Sequence, residues 1–128
     1  MIKRIGLLTS IAFAFLLTTT TFAQEGKQMT RLARLVIDST QLESYRAFLK
    51  EEIETSLRVE PGVLTLYAVA EKNQPTHFTI LEIYANEEAY KKHIQTPHFL
   101  KYKNGTKDMV KSLELIEADP LIPKMKIK

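Results

Sequence analysis

His98 and Glu82 are the side chains whose type and setting best suit proton transfer, and Tyr67, Tyr84, Tyr90 and Tyr102, with His93, are those best suited to line a pocket. His98 follows Thr96-Pro97. With Thr96 as a helix cap, His98 falls in the first helical turn, where the macrodipole disfavours imidazolium and keeps a neutral, proton-accepting ring near about pH 7. A ring that tethers the junction of two helices is the plainer alternative. Glu82 alternates with Phe78, Ile80 and Tyr84, so a carboxylate interrupts an otherwise apolar row on one pleat face. Burial there raises its pKa toward a range useful for a base; an ion pair with a helix or a partner subunit is the other reading. The tyrosines offer aromatic faces and phenolic donors, although such spacings also suit a core. His93 sits near Tyr90 on the same expected helix, and His77, beside Thr76 at a strand start, reads as surface.

Cofactor chemistry finds little material. The sequence has no G-x-G-x-x-G after its first strand, no phosphate loop and only four glycines. Zero cysteines exclude disulfides, thiolate metal sites and a cysteine nucleophile. The step from His93 to His98 crosses a helix break at Pro97 and does not resemble His-x-x-x-His on one helical face, so neither a metal site nor a cofactor is expected. The chain carries 18 basic and 15 acidic residues, but Lys3, Arg4, Lys124, Lys126 and Lys128 lie at its ends, and removing those five leaves 13 basic against 15 acidic. The body has no basic stripe interleaved with aromatics, so nucleic acid is not an expected partner.

These groups must be positioned by 128 residues, enough for one domain and a processing segment. Residues 1–23 read as a secretory signal: a positive start at Lys3 and Arg4, an apolar run from Ile5 to Leu17, and Ala23 before a plausible cut. The run falls short of the about 20 apolar residues that a membrane span needs. A secreted or periplasmic protein with no membrane attachment after cleavage is therefore expected. Residues 24–28 form a polar leader, 29–119 the domain and 120–128 a basic tail, whose Met125-Lys126-Ile127-Lys128 alternation suits either an edge strand or a frayed end.

Within the domain, residues 29–37 favour a strand. Thr40 and Glu43 stand in the relation of a capping box, so a helix is expected from about Gln41. Its apolar stripe is Leu42, Tyr45, Leu49, Ile53 and Leu57, and Glu60-Pro61-Gly62 ends it, with Gly62 free to take positive φ. Residues 63–70 and 76–84 are strands with apolar residues on both faces: Leu64, Leu66 and Ala68 against Val63, Tyr67 and Val69, then Phe78 and Ile80 against Leu81 and Ile83. Asn86 caps a second helix and Thr96-Pro97 opens a third, whose weaker apolar stripe is interrupted by Asn104-Gly105, before a last strand at 112–118. The order β-α-β-β-α-α-β is the split βαβ pattern of an α+β, ferredoxin-like fold with a four-stranded antiparallel sheet. Helices cover one face of such a sheet. The apolar second face calls for another sheet, so a homodimer is expected.

Leu81-Glu82-Ile83-Tyr84-Ala85-Asn86-Glu87-Glu88-Ala89-Tyr90, followed by His93 and by Thr96-Pro97-His98-Phe99, resembles the signature of the antibiotic biosynthesis monooxygenase domain family. The resemblance covers nearly all of residues 29–118 and is strongest over 81–99. It implies a dimeric α+β barrel, with members that include cofactor-independent quinol or polyketide monooxygenases, haem-degrading oxygenases and a sugar-phosphate isomerase. The haem-degrading branch is least similar: where its motif has Asn, Trp and His, this chain has Ala33, Tyr84 and Lys103. In a cofactor-independent monooxygenase the substrate supplies the electrons. Deprotonation of a quinol gives a quinolate that reduces dioxygen, and the protein contributes a base, donors for the phenolate and a dry cavity. His98 and Glu82 are the expected catalytic residues, with Tyr67, Tyr84, Tyr90, His93 and Tyr102 around the substrate. A noncatalytic dimer that binds an apolar ligand, or serves stress protection with the same cavity, is the alternative.

Overall fold

The structure is a computed structural model that describes residues 26–125. The expected secretory signal at residues 1–23, the first two residues of the leader and the last three residues of the tail lie outside the described residues. Strand β1 (Met29–Ile37) is followed by a short 3-10 turn, Ser39–Gln41, and by α1 (Leu42–Val59). Strands β2 (Val63–Ala70) and β3 (His77–Tyr84) lead to α2 (Glu87–His93), α3 (Pro97–Thr106) and β4 (Val110–Ala118). The sheet order is β2-β3-β1-β4, antiparallel throughout, which is the expected ferredoxin-like α+β arrangement.

Local signals place most element ends. Asn86 accepts from the Ala89 amide at 2.8 Å, and Thr96 accepts from the Phe99 amide at 3.2 Å, with Pro97 in the first turn. The capping box at Thr40 and Glu43 does not form. Asp38 instead accepts from the Thr40 amide at 2.9 Å and its hydroxyl at 2.7 Å, so a side-chain turn closes the 3-10 segment and α1 begins at Leu42.

The α1 stripe also departs from expectation. Tyr45 and Leu49 are buried, but Leu57 is 46% exposed, and Glu52 and Ser56 take the buried places on the next two turns. Near its C-terminus α1 meets the α2–α3 junction as well as the sheet, which rotates the protected face toward these polar residues. Gly62 has no positive φ. A Cβ there would stand 2.6 Å from the Ala89 Cβ, so glycine is required by the close approach of the β2 start to α2. Helix α3 continues through Asn104-Gly105, where a Cβ at Gly105 would meet the Phe48 ring at 2.5 Å.

Register fixes which side chains face the helices. Leu66, Glu82, Arg31 and Glu117 form one cross-strand row, and Ala68, Ile80, Ala33 and Leu115 form another on the same face. An irregularity between Val63 and Thr65 puts buried Val63 on the side of Leu66 and leaves Leu64 exposed, so the expected grouping of β2 side chains fails at its first residues. Between these two rows lies an outward-facing row of Tyr67, Leu81, Leu32 and Ile116. It is apolar across the sheet, and Tyr67 is 66% exposed.

Candidate active site

Between the helix-facing side of the sheet and the helices lies a cavity of about 570 Å³. Its walls are largely aliphatic, including Leu66, Ile80, Leu113 and Leu115, and its polar edge is formed by Arg31, Glu52, Glu82, His93 and the rings of Tyr90 and Tyr102. A carboxylate and a guanidinium enter this space because residues 31 and 82 are paired neighbours in the row that points toward the helices. Burial pushes the Glu82 carboxyl up, while Arg31 and a hydrogen bond from Tyr84 oppose the rise. The Tyr84 hydroxyl donates to Glu82 Oε1 at 3.3 Å, and burial together with Glu82 pushes that phenol up.

Arg31 is held from two directions. Its Nε donates to Glu117 Oε1 at 2.7 Å, and its guanidinium lies 4.4 Å from the Tyr90 ring centre. Tyr102 shares a 2.9 Å hydrogen bond with Tyr45, and burial pushes its phenol up to about 12. Tyr102 therefore presents a neutral ring to the cavity.

A chain of titratable groups runs behind this wall. Glu52 Oε1 accepts from Ser56 at 2.8 Å and stands 3.2 Å from His93 Nε2. On its other side His93 Nδ1 lies 3.0 Å from Glu60 Oε2, and the same carboxylate oxygen is 2.7 Å from His98 Nε2. Burial pushes Glu52 up. At Glu60 burial acts in the same direction, yet hydrogen bonds from His98 and His93 overcome it and hold the carboxyl below its usual range. Glu60, His93 and His98 present three ligand-type atoms within 4.8 Å of one another.

These positions redistribute the expected site. Glu82, Tyr90, His93 and Tyr102 do line the cavity. His98 does not; its ring is turned to Glu60 and ties α3 to the end of α1, the plainer of its two readings. Tyr67 points to the opposite face of the sheet. Tyr84 lies behind Glu82, with its ring 5.4 Å from His93, and acts on the cavity only through that carboxylate. His77 is half-buried at the start of β3. The helix break at Pro97 does not keep the two imidazoles apart: their ring centres are 6.3 Å apart, so sequence spacing gave no ground for excluding a shared ligand.

Three site residues escaped the sequence reading. Arg31 was findable as the one charge in the inward alternation Arg31, Ala33, Leu35, Ile37. Glu52 was findable as a member of the row Tyr45, Leu49, Glu52, Ser56. Glu60 had no such signal, since it reads only as the residue before Pro61-Gly62.

The sequence pattern of one family, described as antibiotic biosynthesis monooxygenase, matches residues 29–105. A crystal structure from Bacteroides thetaiotaomicron, named for that family, is 67% identical over 80% of this chain and 97% of its own, with a TM-score of 0.79. A structure from Lactobacillus acidophilus, named for monooxygenases, is 32% identical over 73% of this chain and 44% of its own, with a TM-score of 0.68. One from Nitrosomonas europaea, at 20% identity over 77% of this chain and 94% of its own and a TM-score of 0.70, shares the fold. Among curated proteins none matches the chain.

Proposed function

The chain belongs to the antibiotic biosynthesis monooxygenase family, and on that footing we propose that it oxidises a small quinol-like or phenolic aromatic with dioxygen, without a cofactor. The observation that carries this reading is the pairing of Glu82 with Arg31 on the wall of an aliphatic cavity flanked by the Tyr90 and Tyr102 rings. A quinol lies between apolar walls with a hydroxyl toward Glu82. The carboxylate takes that proton, and its burial-raised pKa narrows the gap to the phenol and makes the transfer less uphill. The quinolate passes one electron to dioxygen, the semiquinone and superoxide join through a new C–O bond, and the peroxide collapses with loss of water. Quinol plus dioxygen thus gives hydroxyquinone plus water, and the substrate supplies all the electrons. Arg31 stabilises the negative charge on the quinolate and then on the reduced oxygen, in a space where low dielectric strengthens its field.

Two further elements complete the proposal. The outward row Tyr67, Leu81, Leu32 and Ile116 suits burial against the same row of a second copy, giving a homodimer. The N-terminal segment directs the protein to a secreted or periplasmic location.

Anaerobic mixing with menadiol followed by admission of oxygen tests the reaction. Oxygen uptake by the unmodified protein, reduced about 100-fold to 10,000-fold in Glu82→Gln while the far-UV spectrum is unchanged, is the expected result. Saturable quinol binding without oxygen uptake would instead identify a noncatalytic binding module.

A further inference from the structure

Glu60, His93 and His98 arrive from three different places in the chain. Glu60 closes α1, His93 ends α2, and His98 lies in the first turn of α3. Their convergence leaves a charge problem. Among the described residues, Glu52 and Glu60 have no lysine or arginine within ion-pair distance; their basic neighbours are His93 and His98 alone. The Glu52 side chain is 5% exposed and that of Glu60 14%, so two shielded carboxylates have two imidazoles as their basic neighbours and no permanent cation beside them among the described residues. Buried carboxylates are stable when paired or when they serve a cation.

We propose that Glu60, His93 and His98 form a binding site for a divalent transition-metal ion of the zinc class. His93 Nδ1, His98 Nε2 and a Glu60 carboxylate oxygen supply two nitrogens and one oxygen, a donor set suited to zinc and its first-row neighbours. Both ring nitrogens already aim at Glu60 Oε2, from 3.0 and 2.7 Å. An ion bound at about 2.0 to 2.2 Å from each donor needs these separations to open by roughly half an ångström, and it takes the place of the hydrogen bonds that now join the rings to Glu60. Glu52 supplies the supporting shell. Placed 3.2 Å from His93 Nε2, its carboxylate is positioned to accept the remaining ring proton once the ion takes Nδ1, which would hold the ring's orientation. The His98 and Glu60 side chains retain 15% and 14% exposure, which gives the ion an entry from solvent.

His93 and Glu52 also line the cavity while Glu60 and His98 do not, so this ion fastens the end of α1 to the α2–α3 junction behind the cavity wall and touches none of the residues that carry the proposed proton transfer. Whether the protein oxidises quinols does not affect the site.

The test uses purified protein carrying no histidine tag and stripped with a chelator. Co2+ is followed by its visible d–d absorption, and Zn2+ by calorimetry and by competition with Co2+. One ion per chain with nitrogen ligation is expected. Glu60→Gln and His98→Ala should each weaken binding at least about tenfold, and Glu52→Gln by about 10-fold to 100-fold through loss of its support of His93. Absence of saturable binding up to about 1 mM, or binding unchanged in folded Glu60→Gln and His98→Ala proteins, overturns the proposal. Should those variants not fold, NMR of the unmodified protein decides: Zn2+ must shift the ring signals of His93 and His98 and leave those of His77 in place, and the opposite pattern refutes the site.

Discussion

Replacing Gly62 by alanine tests how the start of β2 is seated against α2. The added Cβ would lie 2.6 Å from the Ala89 Cβ, where carbon contacts normally settle at about 3.5 to 4.0 Å. About 1 Å of separation must therefore open, and the atom in the way is fixed directly to the helix backbone, so no rotamer change relieves it. Overpacking of this kind costs about 1 to 3 kcal/mol. Because Gly62 has no positive φ, alanine also recovers about 0.4 to 1 kcal/mol by restricting the unfolded chain. The net expectation is a loss of about 1 to 2 kcal/mol, read by urea denaturation, with a fall in melting temperature of about 4 to 8 °C for each kcal/mol. The partner change Ala89→Gly costs about 1 kcal/mol alone, as glycine does in a helix, but it removes the obstructing methyl. In the double variant the Gly62→Ala penalty should vanish, giving a coupling energy of about 1 to 3 kcal/mol. Glycine chosen for positive φ would give no such rescue. A Gly62→Ala protein at least as stable as the unmodified one, or a double variant whose losses simply add, would refute the close-approach account. The contact reaches the site, since Ala89 lies on α2 beside Tyr90 and one turn from His93.

Three further outcomes concern Arg31 and the outward face of the sheet. Arg31→Met should lower stability by about 1 to 2 kcal/mol, mostly through the lost contact with the Tyr90 ring, because the Glu117 partner is largely exposed. Arg31 opposes the burial-driven rise in the Glu82 pKa, and a base acts only when ionised; its removal therefore moves the acid limb of the oxygen-uptake profile to higher pH, whereas an unmoved or lowered limb would separate Arg31 from Glu82. Leu81→Arg places a charge in the centre of the outward apolar row and should convert a dimer into monomer in sedimentation equilibrium; an unmodified protein that is already monomeric at about micromolar concentration contradicts the dimer.

Features written into short stretches of chain were legible without the structure. Asn86 and Thr96-Pro97 start their helices because the groups they satisfy lie within three residues; strands β1 to β3 follow from short runs of apolar and β-branched residues between turn signals, and β4 from alternation. The element order then left the split βαβ arrangement as the economical way to cover one sheet face. Glu82 was legible for the same reason, since strand periodicity alone sets it in the row of Phe78 and Ile80. Competing local bonds were harder to rank. Asp38 displaced the capping box at Thr40 and Glu43 because both arrangements use donors in the same turn. What tertiary structure alone decided is the set of contacts between distant residues: Arg31 with Glu117 across 86 positions, Tyr45 with Tyr102 across 57, and Glu60 with His98 across 38. A periodic pattern states which side of a helix is apolar, but the rotation of α1 against the α2–α3 junction determines that Glu52 and Ser56 are covered while Leu57 is left in solvent. That rotation is a compromise among all the surfaces that pack together, and for this reason His98 meets a glutamate at the end of another helix and does not reach the cavity.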